Sequence, residues 1–470
     1  MESTIKRGAE VQLEVQSLAF GGRGVAKFDG FVVFVEDALP GQVVTARVIR
    51  KRKGYAEARL VAVLQQSPEQ ITPRCPHFDD CGGCSFQNLD YSAQLKYKRM
   101  QVIESMQHIG GFESPPVVES LASPDQFYYR NKMEFSFGDQ RWLPRDEIKN
   151  ASLVKPKNFA LGLHARGRFD KILDIDVCYL QSPRSVKILN YVREAVLETG
   201  IPPYNTRDHS GFWRHLVIRE GKNSGETMVN LVTAGGDGFF PVVEDLARQL
   251  TKEFPDLTTI VHNINRRKAQ VATGDEERVL FGPGVIKENI GKRIFQISAN
   301  SFFQTNTNGA QLLYNKVVEF GDFRADEIVY DLYCGAGTIS LYISALVQQV
   351  IGFEIVEDAV KDAERNCQLN KVSNCKFVTG DLKDTLSMKK WERPTTVVID
   401  PPRAGMHDDV LEKVIALQPA KIVYVSCNPT TFARDVKILC TSHYELKAVQ
   451  PVDMFPHTAH IEVVGLLTAI

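Results

Sequence analysis

The 470-residue sequence has no long hydrophobic run. Apolar stretches such as Phe31-Val32-Val33-Phe34-Val35 fall well short of the roughly 20 residues that span a bilayer. It has no excess of charge: 56 Lys and Arg stand against 57 Asp and Glu, a formal net charge of -1. That excludes a wholly basic nucleic-acid wrapper but leaves room for a local basic face. It is poor in cysteine. Nine in 470 residues are too few for a disulfide scaffold, and an odd number leaves one unpaired. No apolar stretch follows the charged opening Met1–Arg7, so no secretory signal is expected. A reducing, cytoplasmic setting follows, in which the cysteines need a reason in chemistry or packing. Internal repeats and low-complexity tracts are absent too. What remains is 43% hydrophobic and 24% charged, the composition of a soluble globular protein of two to four domains.

The first segment reads as short strands with glycine-marked corners. Val11–Val15, Phe31–Val35, Val43–Ile49 and Tyr55–Leu64 alternate around the turn Phe20-Gly21-Gly22-Arg23-Gly24. Such a pattern suits a small closed OB-like β-barrel over residues 1–66. Arg47, Arg50, Lys51, Arg52, Lys53 and Arg59 crowd one part of it, as either a solvated hairpin tip or a phosphate-tracking surface. Residues 67–290 mix strands and helices as a central α+β domain. It contains a cysteine-bearing stretch and an amphipathic helix over about 92–113 that is expected to pack on the C-terminal domain. From about 325 buried strands alternate with helices: Ile328–Leu332, Val350–Phe353, Lys376–Thr379, Thr396–Ile399 and Lys421–Ser426. This alternation marks a doubly wound parallel sheet, so residues 291–470 are taken as the third domain.

The turn after its first strand reads Asp331-Leu332-Tyr333-Cys334-Gly335-Ala336-Gly337-Thr338. Glycines let the backbone approach a ligand closely at a helix N-terminus. No Lys-Ser/Thr pair follows them, which argues against a triphosphate. Glu354 ends the second strand, where a carboxylate can accept both hydroxyls of a ribose. Asp381 ends the third, near where an adenine would lie. Acids at successive strand ends favour an adenosine-containing cofactor over simple helix capping.

The fourth strand ends in Asp400-Pro401-Pro402-Arg403 and the fifth in Ser426-Cys427-Asn428-Pro429. A cysteine at a strand tip on the ligand-bearing edge suits a nucleophile. Cys334, Cys367, Cys375 and Cys440 keep the plainer reading of core packing. Glu462 lies inside an apolar run, where burial raises a carboxyl pKa toward that of a general base. Upstream, Cys75-x5-Cys81-x2-Cys84 brings three thiols within ten residues, with Cys178 the best candidate for a fourth. Four thiolates suit tetrahedral zinc or a [4Fe–4S] cluster, and the spacing leaves both open.

Asp400–Arg403, Ser426–Pro429, His460-Ile461-Glu462 and Ser301-Phe302-Phe303-Gln304-Thr305-Asn306 together resemble the S-adenosylmethionine-dependent RNA uracil-C5 methyltransferases. Tyr128-Tyr129-Arg130-Asn131-Lys132 resembles a further signature of that family, and residues 1–66 resemble its TRAM domain. The resemblance spans nearly the whole chain and is closest to the 23S ribosomal RNA branch, which carries both barrel and cysteine cluster. It implies a Rossmann-like catalytic domain, Cys427 as the nucleophile and Glu462 as the base. Gln304, Tyr333, Thr338, Glu354, Asp381 and Asp400 are the implied S-adenosylmethionine contacts, with Thr338 departing from the Asn common in the family. It also implies a [4Fe–4S] cluster on Cys75, Cys81, Cys84 and Cys178.

The chemistry asks for these groups independently. Uracil C5 is a poor nucleophile until a thiolate adds to C6, and the target base must leave its stack to reach the site. Phe302 or Phe303 is placed to stack on a nucleobase or to fill core. The expected activity is 23S rRNA (uracil-C5) methylation by a cytoplasmic monomer, without membrane or obligate protein partner. The alternatives are the same reaction on tRNA, or a non-catalytic RNA-binding or iron–sulfur protein on this scaffold.

Overall fold

The computed structural model describes residues 5–149, 155–387 and 391–470. The reading of Met1–Arg7 rests partly on residues 1–4, which lie outside them. Five strands, β1 (Glu10–Leu18), β2 (Gly24–Phe28), β3 (Phe31–Glu36), β4 (Val43–Lys51) and β5 (Tyr55–Gln65), close a barrel in the order β1-β2-β3-β5-β4. Alternate residues such as Val33, Val35, Val44, Ala46, Ala56 and Ala58 fill its interior, as the period of two requires. Its basic cluster is partly neutralised. Arg47 pairs with Glu10 at 2.6 Å and Arg59 with Glu36 at 3.2 Å, so the exposed basic face contracts toward the β4–β5 turn.

The central region forms a seven-stranded sheet. Its strands are β6 (Lys132–Gly138), β7 (Ala160–His164), β8 (Ile172–Asp174), β9 (Trp213–Glu220), β10 (Thr227–Thr233), β11 (Thr259–Ile264) and β12 (Glu276–Phe281), in the order β12-β11-β10-β9-β6-β7-β8. Helices Pro183–Glu198 and Phe240–Glu253 cover one face and share its apolar core. A hairpin of β13 (Val285–Ile290) and β14 (Arg293–Ser298) leads onward. The helix read over 92–113 runs Tyr91–Ser105, capped by the Asp90 carboxylate, and continues as a π turn over Met106–Gly110. Val102 and Met106 are buried with Phe432 and Val436 in the core of the C-terminal region.

The C-terminal sheet holds β15 (Ile328–Leu332), β16 (Gln349–Glu354), β17 (Cys375–Thr379), β18 (Thr396–Ile399), β19 (Lys421–Ser426), β20 (Tyr444–Val452) and β21 (Glu462–Ala469). Their order is β17-β16-β15-β18-β19-β21-β20. The first five are parallel and β15, β18 and β19 are buried along nearly their whole length, because helices pack on both faces. Strand β21 runs antiparallel between β19 and β20, with Val463 opposite Ser426 and Glu462 opposite Val452. An antiparallel strand begins where its parallel neighbours end. Its first residue, Glu462, therefore reaches the same sheet edge as Cys427. Among the described residues no helix is long and apolar enough to cross a membrane.

The segment Asp453–Ile461 that leads into β21 is held from several sides. Lys98 donates to the Asp453 carboxylate at 2.7 Å, with both side chains buried. Gln94 accepts from the His457 amide at 2.9 Å, and Tyr129 donates to the Pro456 carbonyl at 3.0 Å. The amides of Ser85 and Phe86, just after the cysteine stretch, donate to the His457 carbonyl. Burying the Lys98–Asp453 pair is tolerable only while both partners are present; removing one costs about 3–5 kcal/mol.

Candidate active site

The glycine loop takes its shape from left-handed backbone. Gly335 and Gly337 have φ of 53° and 73°, and Tyr333 has 63°. A bulky residue there is strained, and such strain gathers at functional sites. A side chain at Gly335 would project into open space, so this part of the loop is free for a ligand to approach. Glu354 at the tip of β16 accepts from the Gly335 amide at 3.0 Å and the Val356 amide at 2.9 Å. Each oxygen keeps a lone pair for a ligand hydroxyl. Thr338 accepts from the Tyr314 hydroxyl at 3.0 Å. Asp381 is exposed and caps the short helix after β17 through the Lys383 amide; its charge and that of Asp435 push the Tyr333 phenol up after burial, to about 12.

The deeper wall is acidic. Asp331 is fully buried and accepts from Ser340 at 2.6 Å, while its Oδ1 has no partner. Burial lifts it to about 7. Asp400 is likewise pushed up to about 7, first by burial and then by Asp331. Burial raises Glu462 well above the usual carboxylate range; Asp400 raises it further, and Arg403 opposes both.

Cys427 is half-buried at the tip of β19. Burial first and then Glu462 push its thiol up, and the Arg403 guanidinium, hydrogen-bonded to it, offsets this only in part. The Asn428 side chain donates to the Arg403 carbonyl at 2.9 Å and accepts from the Thr430 amide at 3.0 Å. It thus both caps helix Pro429–Ser442 and ties the two strand tips together. A thiol, a raised carboxyl and a guanidinium therefore share one sheet edge with the glycine loop.

Two sequence signatures meet although they lie far apart in the chain. The Asn131 side chain donates to the Gln304 carbonyl and to the Thr307 hydroxyl, each at 2.9 Å. The structure places Gln304 through its backbone, and the residue is half-buried. Phe303 is core, packed on Phe295, whereas Phe302 is 74% exposed. Sequence reasoning passed over Asp331, Tyr314, Asn428 and the use of Arg403. The β15-end position was the one available signal for Asp331; the others show only in three dimensions.

Cys75, Cys81, Cys84 and Cys178 line one cavity of about 330 Å³, together with Arg130, Tyr179 and Thr305. Burial pushes Cys81 up to about 11 and Cys84 to about 12, and neighbouring thiols add to it. Among the described residues no group of three or more His, Cys, Asp or Glu side chains is arranged to hold a metal ion.

A closed five-stranded barrel, a doubly wound sheet with an antiparallel final strand pair, and a glycine loop beside strand-end acids define a TRAM-containing Rossmann-like methyltransferase. The model of the tRNA (uracil-5-)-methyltransferase family matches residues 247–470, and that of the TRAM domain matches residues 5–61. An uncharacterized RNA methyltransferase of Chlorobaculum tepidum is 45% identical, covering 93% of this chain and 91% of its own. One from Halalkalibacterium halodurans is 36% identical over 99% of this chain and 98% of its own. The crystal structure of Pyrococcus abyssi tRNA (uracil-54, C5)-methyltransferase in complex with S-adenosyl-L-homocysteine is similar, with a TM-score of 0.75. It is 31% identical and covers 97% of this chain and 100% of that one. The chain belongs to the RNA uracil-5-methyltransferase family of S-adenosylmethionine-dependent enzymes.

Proposed function

We propose that the protein methylates C5 of a uridine in 23S ribosomal RNA through a covalent Cys427–C6 adduct. The observation that carries the mechanism is the meeting of Cys427, Arg403, Asp400 and Glu462 at one strand edge beside the glycine loop. Arg403 favours the Cys427 thiolate, which attacks C6; a carbon–sulfur bond forms and the C5–C6 π pair moves toward the O4 carbonyl. S-adenosylmethionine, when bound, supplies the methyl group that C5 takes. Tyr333, Thr338, Glu354, Asp381, Asp400 and Gln304 are the residues proposed to hold it. The open space at Gly335 and the engaged but unsaturated Glu354 carboxylate support that assignment. Glu462 then takes the C5 proton; the C5–C6 double bond re-forms, the carbon–sulfur bond breaks and the thiolate leaves.

The four cavity cysteines are proposed to hold a [4Fe–4S] cluster. A single zinc ion needs all four sulfurs about 2.3 Å from one point, whereas the four thiols here line one cavity of about 330 Å³, and the family resemblance favours the cluster. A cluster binds each thiolate to a different iron, so its ligands stand further apart. The methyl transfer needs no electron, and the group's role here is structural. Anaerobic purification is expected to give a brown protein containing iron and sulfide. A colourless protein with one zinc per chain contradicts this.

A second reading, methylation of tRNA, is favoured by the Pyrococcus abyssi likeness, which extends over 97% of this chain. An enzyme with a tRNA substrate therefore has the same architecture, and the barrel does not discriminate between RNAs. Substrate choice lies in surface shape. Incubation with labelled S-adenosylmethionine and separated 23S rRNA, 16S rRNA and tRNA from a strain lacking the enzyme decides it. Label is expected on 23S rRNA, and label on tRNA alone overturns the ribosomal assignment.

A further inference from the structure

Arg403 and His460 form an informative pair. Arg403 Nη2 lies 2.6 Å from His460 Nδ1. A guanidinium carries donors and no acceptor, so Nδ1 accepts, and the ring is neutral with its proton on Nε2. The surroundings agree. Burial first, then Arg403, Arg130 and Lys98 from three separate elements, hold His460 down to about 4. Phe455 packs edge-on against the ring at 5.9 Å and 77°, and the Thr458 hydroxyl accepts from the His460 amide at 3.2 Å. The imidazole is thus fixed by the anchored Asp453–Ile461 segment.

Arg403 presents the opposite case. Its carbonyl is tied to Asn428, but its side chain is exposed. A free arginine side chain samples many rotamers, at a cost of up to about 2 kcal/mol to order. Its guanidinium nevertheless faces the Cys427 thiol, which Glu462 and Asp400 otherwise oppose as a thiolate.

We propose that His460 is a positioning residue that, by accepting from Arg403, holds the guanidinium against Cys427 and so makes the thiolate accessible for attack on C6. This rests on the reading of Cys427 as the nucleophile. The imidazole itself transfers no proton. It selects one Arg403 rotamer and couples the Asp453–Ile461 segment to the nucleophile.

The test is the pH profile of Cys427 alkylation by iodoacetamide, read by mass spectrometry of the Cys427 peptide without RNA. His460→Phe keeps an aromatic ring and removes the acceptor. It is expected to move the profile up by half to one pH unit and slow alkylation near pH 7.5 about three- to tenfold. His460→Asn places an amide oxygen where Nδ1 lay and is expected to stay within about twofold of wild type. His460→Gln, whose oxygen falls nearer the Nε2 position, is expected to behave like the Phe variant. In an Arg403→Gln background, His460→Phe is expected to add less than about twofold. An unmoved profile in His460→Phe, equal rates for Asn and Gln variants, or full additivity with Arg403→Gln overturns the proposal. If the Phe variant does not fold, the Asn and Gln pair makes the same distinction. Full methylation by Cys427→Ala would instead refute the proposed mechanism, so the two failures are distinguishable.

Discussion

Cys427 and the four cavity cysteines are the same chemical group in opposite settings. Cys427 stands half-buried at an open edge with a guanidinium against it. Cys81 is buried and Cys84 partly so, both among other thiols, and burial lifts them to about 11 and 12. A thiol in the second setting stays protonated unless a metal supplies the missing positive charge. In the first setting the Arg403 guanidinium offsets part of the upward push of burial and Glu462, so the proposed nucleophile draws on a charge that the protein itself supplies. On the proposed roles, what separates nucleophile from ligand is the source of the compensating charge.

The comparison can be broken most severely at Cys427. Cys427→Ala is expected to reduce labelled methyl transfer about 10⁴-fold or more, with unchanged far-ultraviolet dichroism. Glu462→Gln should lower turnover by about 10²–10⁴ yet let an RNA-linked species accumulate on denaturing gels. Glu462 works only when deprotonated and its pKa is raised. In the wild type, adduct breakdown is therefore expected to keep quickening as pH rises above the usual carboxylate range. Cys178→Ser tests the other side. It is expected to abolish visible absorption and bound iron and to lower Tm by about 2–4 °C, while methylation stays within about tenfold. Loss of methylation as deep as in Cys427→Ala would erase the distinction between the two thiol sites.

The smallest effect concerns Asp400. Its folded pKa, about 7, lies above the unfolded value of 3.8. Its contribution to stability is present below about pH 4 and is lost as pH rises to about 7. Asp400→Asn is therefore expected to melt about 2–4 °C above wild type at pH 8 and level with it at pH 4, while its activity falls. Melting curves at the two pH values check this, and a constant difference contradicts it.

Much of the fold was legible because parallel strands buried on both faces read as unbroken apolar runs, as Ile328–Leu332 and Lys421–Ser426 do. Acids and a cysteine at the ends of such runs stand out, and Glu354, Asp381, Asp400 and Cys427 were readable for that reason. Strand direction was not. Nothing in the apolar pattern of Glu462–Ala469 shows that it runs antiparallel beside β19, the arrangement that brings Glu462 to Cys427. Long-range polar pairs were equally silent. Asn131 meets Gln304, Lys98 meets Asp453, and Arg403 meets His460, and neither periodicity nor local spacing encodes such meetings. The basic barrel cluster looked larger than it is because cross-strand carboxylates such as Glu10 and Glu36 lie elsewhere in the chain.

The most direct test of the central claim uses RNA containing 5-fluorouridine. Fluorine at C5 leaves no proton for Glu462 to take, so a thiolate adduct formed at C6 cannot be resolved after methyl transfer. With S-adenosylmethionine present, a stable protein–RNA species is expected, and its digestion should place a methylated fluorouridine on the peptide containing Cys427. A stable adduct on Cys75, Cys81, Cys84 or Cys178, or no adduct from an enzyme that methylates ordinary RNA, would contradict the assignment.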